Sequence, residues 1–245
     1  MSMMLSYVRS EEGGSPIQPQ HSSEGLIRLG ILALPLAGLL ALVGLYSTFK
    51  LGTGGILATG DLQAIISASY FVSVLVGNVL ALTLLIFGVM ALFAYLANTG
   101  QRALALGAMI LSIIGIALTL TGLGVFAYAV PALSEAYLNG QEEAAILILD
   151  SIFAGSFETI TTVVVFLFYS AGFILFGVAV WRSGVLPRWA GVLVAAHAPL
   201  ISGPFSNVGS VVGALLAVVG SGWIALSVLR SPSAPREAEA EPRVR

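Results

Sequence analysis

Residues 181–189 read Trp-Arg-Ser-Gly-Val-Leu-Pro-Arg-Trp, with apolar residues running into them from Thr161 and out of them past Gly191. Two arginines between two tryptophans, at the joint of two hydrophobic segments, describe a helical hairpin turning at a membrane surface. Arginine and lysine collect on the cytoplasmic side of a bilayer, and indole rings favour its interface. The turn therefore sets the side on which every other connection lies. Trp181, Arg182, Pro187, Arg188 and Trp189 are its topological anchors.

The composition around this turn fits a bilayer. Of 245 residues, 58% are hydrophobic and only 9% charged, against about 25% charged in soluble domains. A mean hydropathy of +1.00 over that length requires several membrane-spanning segments. With no cysteine, disulfides, thiolate nucleophiles and Cys-ligated zinc or iron–sulfur sites are excluded. The formal charge of -2 names no partner, and no nucleic acid is expected.

Six spans emerge, giving an all-α polytopic bundle. They cover residues 26–49, 70–96, 103–130 (ended by Pro131), 158–181, 189–202 and 208–229. A hydrocarbon slab of about 30 Å asks for about 20 residues, so the fifth is short. No run alternates apolar and polar residues, which excludes a β-barrel. Residues 1–24 and 231–245 read as disordered tails, the first being too long for a signal-peptide n-region.

The basic residues orient this arrangement. Arg9, Arg28, Arg102, Arg182, Arg188, Arg230, Arg236, Arg243 and Arg245 all fall on one side; Lys50 alone falls on the other, with Asp61, Glu135, Glu142, Glu143 and Asp150. The positive-inside rule puts both termini in the cytoplasm. On the outer side, Asp61 is a plausible N-cap for an extension of the second span. The acidic outer loop 131–157 holds two short surface helices, over 132–139 and 141–154.

Lipid supplies no hydrophobic drive between helices, so small residues at helical spacing mark their contacts. The third span carries Ala105, Ala108, Ser112, Gly115, Thr119 and Gly122; the sixth carries Gly209, Gly213, Ala217 and Gly220. Such faces pack within the bundle or hold a partner helix or a second copy of the chain.

Polar residues in the spans are the candidate site. Glu158 opens an inward face of the fourth span that continues through Thr162 to Tyr169. It is either an interfacial carboxylate or one that handles a proton or cation at a pocket mouth. His197 lies two residues before Pro199, and proline frees a carbonyl one turn back. Counted from the span ends, Asn78, Ser112, Tyr169 and His197 come to similar depth. They are either satisfied on their own helices or line an outward-facing pocket for a small molecule, lipid or ion.

Recognisable catalytic chemistry is absent. There is no His-Glu-x-x-His, P-loop or nucleotide fingerprint, and one intramembrane histidine cannot build a metal cluster or a bis-histidine haem site. Ser221 lies nearer the cytoplasmic end than His197, which argues against a serine–histidine pair. No cofactor is implied. An inverted repeat, sought because many transporters have one, is matched no better than the positive-inside rule alone accounts for.

Residues 173–191 resemble a bacterial family of multi-pass membrane proteins known only as a domain of unknown function (DUF 4386-like). Gly177, Arg182, Ser183, Gly184, Pro187, Arg188 and Gly191 carry the likeness over about twenty positions. It implies a bacterial inner membrane and a multi-pass fold, and adds no activity. Gly184 after a helix and Pro187 before one suit any such turn as well.

Overall fold

A computed structural model describes residues 20–50, 66–153, 156–202 and 207–230. Among these residues the chain is helical throughout. The helices are α1 (Gln20–Lys50), α2 (Ala68–Ala97), α3 (Arg102–Leu138), α4 (Glu142–Phe153), α5 (Ser156–Ser183), α6 (Arg188–Ser202) and α7 (Asn207–Arg230). Stretches of α1, α2, α3, α5 and α7 are long and apolar enough to cross a membrane. The 15-residue α6 is not.

Six of the helices form a closed ring in chain order. Each packs on the next, from α1 through α2, α3, α5 and α6 to α7, and α7 returns to α1. Glycines set the register of this ring. A Cβ on Gly30 would lie 2.7 Å from Ala91 Cβ, one on Gly38 2.8 Å from Val218 Cγ2, and one on Gly213 2.9 Å from the His197 carbonyl. Approaches this close leave no room for a larger side chain and let backbones touch, as packing in lipid favours. Ser112 and Gly115 are buried against Gly172 and Tyr169 of α5.

Lipid exposure explains the exterior. Leu29, Leu32, Leu36, Leu39 and Val43 make an exposed stripe along α1, while Ile31, Leu34 and Ala37 of the same helix are buried. Water would not tolerate such a surface around a whole molecule; hydrocarbon does. Of the arginines in the described segments, Arg102, Arg182, Arg188 and Arg230 sit at helix ends that share one end of the ring, and Arg28 lies about two turns into α1 toward that same end.

Several boundaries differ from the sequence expectation. The first helix starts at Gln20, inside the stretch read as a tail. A helix that stopped where its apolar run stops would leave backbone donors at the edge of the hydrocarbon. Pro131 does not end α3, which continues to Leu138. Residues Val125–Ala129 just before it are wound as a π-helix, and that wider turn absorbs the ring and the missing donor. The segment 132–139 is therefore the end of α3 rather than a separate helix, and α4 lies against that extension.

A second π-helical stretch, Ser73–Leu80, lies within α2. That helix is capped by Ser67, whose Oγ accepts from Tyr70 N at 3.3 Å. Asp61, expected as a cap, lies outside the described residues, as do the tails 1–19 and 231–245. Pro199 stands inside a continuous α6.

The 184–187 turn is built as its composition suggests. Gly184 has φ +69°, a conformation that favours glycine after a helix. The Pro187 carbonyl then accepts from Ala190 N at 3.0 Å, opening α6. Trp181 and Trp189 meet edge to face at 6.0 Å, and the Arg188 guanidinium lies 5.9 Å from the Trp181 ring.

Candidate functional site

The ring surrounds a partly open cavity of about 170 Å³ to which all six of its helices contribute. Leu34, Ala37, Gly38, Ala41 and Leu45 of α1 spread it over roughly three turns. Ala81, Leu82 and Leu85 of α2, Leu123 of α3, Phe173 of α5, Val194 of α6 and Ala214 and Ala217 of α7 complete an almost entirely apolar wall. Small residues on α1 and α7 (Ala37, Gly38, Ala41, Ala214 and Ala217) leave much of the space.

Five polar side chains interrupt this wall: Asn78, Thr119, Tyr169, His197 and Ser221. Two are engaged on their own helices. Thr119 Oγ1 donates to the Gly115 carbonyl at 2.8 Å, and Ser221 Oγ donates to the Ala217 carbonyl. His197 is 3% exposed, and its Nδ1 hydrogen bonds to the Val194 carbonyl. Its ring is edge-on to Phe173 at 4.7 Å and to Tyr169 at 6.1 Å, with Tyr169 and Phe173 tilted at 4.8 Å. No hydrogen bond from another described residue reaches His197 Nε2, Tyr169 Oη or the Asn78 amide.

The glycine contacts give the depth of these groups. His197 lies against Gly213, five residues from Val218, which faces Gly38. Five residues further along α1 from Gly38 is Val43, next to Gly44, where Asn78 Oδ1 lies 2.8 Å from a built Cβ. Asn78 and His197 therefore occupy nearly one level, from opposite walls.

Of the residues singled out in the sequence, Asn78, Tyr169 and His197 meet in this cavity. Ser112 does not line it. The Ser112 hydroxyl is completely buried at the α3–α5 contact, against Gly172, without a hydrogen-bond partner. Thr162 is exposed on the outer surface of α5, because the inward face drawn from Glu158 begins to turn inward only near Val165. Glu158 belongs to the first turn of α5, and its side chain lies outside the described residues. Gly115 is buried against Tyr169 and Gly213 against α6, Gly209 is half-buried, and Gly122 faces open space.

Sequence reasoning missed Thr119 and Ser221 as lining residues. Thr119 was visible only as a member of a small-residue seam. The level assigned to Ser221 is consistent with the register: Gly220 abuts Ala190 and Leu193, which puts Ser221 about 10 Å from the His197 level along the axis. Both still reach the cavity because it is elongated. Among the described residues, no group of His, Asp or Glu could hold a metal ion, and no charged side chain lines the cavity. No family model, curated protein or solved structure matches the chain.

Proposed function

We propose that this protein is a six-span helical membrane protein that binds a small, uncharged, largely apolar molecule in the cavity at the centre of its helix ring. One observation carries the reading. All six helices stand back from a common space lined by apolar side chains, where His197 Nε2, Tyr169 Oη and the Asn78 amide take no hydrogen bond from another described residue. Small-molecule sites are concave, mostly apolar and furnished with a few placed polar groups. An ion is a poorer occupant, because among the described residues no carboxylate lines the space.

The arginine-bearing end of the ring supports a cytoplasmic placement of both termini. The placement in a bacterial inner membrane rests on the sequence resemblance of residues 173–191 alone. In this reading α6 crosses within the shelter of α5 and α7, its shortness accommodated by local thinning or tilt. A role as an accessory subunit held through glycine faces is less well supported, since Gly115 and Gly213 are already occupied inside the bundle.

The test is a thermal-shift screen of the full chain in lipid nanodiscs against small neutral organic molecules, repeated with Ala41→Phe, which fills the cavity. A ligand at 100 times its Kd stabilises by about 2.7 kcal/mol. Stabilisation by at least one such molecule, lost in Ala41→Phe, is expected. A screen without any hit, or hits equal in the filled variant, would overturn the reading.

A further inference from the structure

We infer that the cavity selects a ligand carrying a hydroxyl group, a small neutral alcohol or phenol; this rests on the cavity being a binding site. The Val194 carbonyl can only accept, so the hydrogen bond to His197 Nδ1 requires the proton on that nitrogen. Among the described residues no charged side chain lines the cavity to hold an imidazolium, so Nε2 carries the lone pair and is an acceptor. Tyr169 Oη offers a proton, and the Asn78 amide offers two more together with a carbonyl.

A ligand in this cavity meets an acceptor at His197 and donors at Tyr169 and Asn78, so the polar group that suits it both donates and accepts. A hydroxyl does both. A ketone or ether only accepts, which leaves His197 Nε2 facing apolar atoms, and a buried acceptor without a donor is costly. A primary amine would bring a positive charge into a space where no described residue supplies an anion. A hydrocarbon satisfies none of the three groups. An apolar cavity of about 150 Å³ is known to take up benzene, so a space of about 170 Å³ suits a single ring with its hydroxyl. The rings of Phe173, Tyr169 and His197, 4.7 to 6.1 Å apart, give such a ring aromatic edges and faces to pack on.

Phenol, anisole and toluene separate these possibilities, since they share one ring and differ in donor and acceptor. Their dissociation constants for the full chain in nanodiscs, corrected for partition into protein-free discs, are the readout. Phenol is expected to bind about tenfold more tightly than anisole or toluene, with the preference lost in His197→Phe. Asn78→Leu is expected to weaken phenol and leave toluene unchanged. Equal binding of all three would overturn the hydroxyl selection while leaving the cavity as a site. Binding of none, with no competition by one for another, would overturn the site itself. The wild-type series decides the matter even where a His197 variant fails to fold.

Discussion

The α5–α6 and α2–α3 hairpins begin alike and end differently. Each turns at the arginine-bearing end through a glycine with positive φ, Gly184 at +69° and Gly100 at +77°. From there α5 and α6 stay in backbone contact: a Cβ on Gly177 would lie 2.5 Å from the Gly191 carbonyl and 2.7 Å from Ala195 Cβ. Helices α2 and α3 pack less closely and meet again at their far ends. There Tyr70 Oη donates to the Phe126 carbonyl at 3.1 Å, and Phe71 stands edge-on to Tyr128 at 6.1 Å. Those far ends are also where both π-helical stretches lie.

The contrast separates two jobs within one ring. The close hairpin holds Tyr169, Phe173 and His197 in a fixed aromatic corner. The looser one supplies Asn78 from a π-helical turn and leaves room in front of that corner. π-Helical turns inside α-helices are frequent at functional sites, and this one directly lines the cavity.

The largest effect should come from forcing the close hairpin apart. Gly177→Leu meets backbone on the other side and cannot be absorbed by a rotamer change. A loss of about 3 kcal/mol is expected, read as a fall in unfolding midpoint in mixed micelles; a change within error would mean that α5 and α6 are not in backbone contact. A smaller effect discriminates within one seam. Gly115→Ala would place a methyl 2.6 Å from Tyr169 N, whereas Gly122→Ala, seven residues on, meets nothing within 4 Å. The first should cost about 2 kcal/mol and the second should be neutral or stabilising by up to about 1 kcal/mol. Equal effects would show that the seam is not divided as described. The smallest concerns the looser hairpin: Tyr70→Phe removes one partly exposed hydrogen bond and should cost about 0.5–1 kcal/mol. A larger loss would make that pair of helices as tightly coupled as the other.

Much of this was legible in the sequence, for definite reasons. Apolar runs and one-sided arginines mark the spans because the bilayer imposes length and charge sidedness directly. Small residues mark the contacts because backbones meet only where side chains are small. Periodicity, however, names a helix face and not what covers it at each level. Gly115 and Gly122 share a face, yet only the first has α5 against it. Ser112 and Tyr169 come to similar depth, yet Ser112 is closed off by Gly172 while Tyr169 opens onto the cavity. Pro131 was read as a stop because nothing in the residue types before it announces a π-helical turn. The central space itself depends on Ala37, Ala41, Ala214 and Ala217 facing inward together, a coincidence among distant helices that no single stretch records.

Xenon uptake tests the central cavity most directly, since xenon enters apolar cavities without needing a specific partner. In a crystal of the lipid-embedded protein pressurised with xenon, an anomalous peak is expected inside the ring, bounded by Ala41, Leu82 and His197, and absent in Ala41→Phe. An empty ring interior, with xenon only among the lipid-facing side chains, would contradict it.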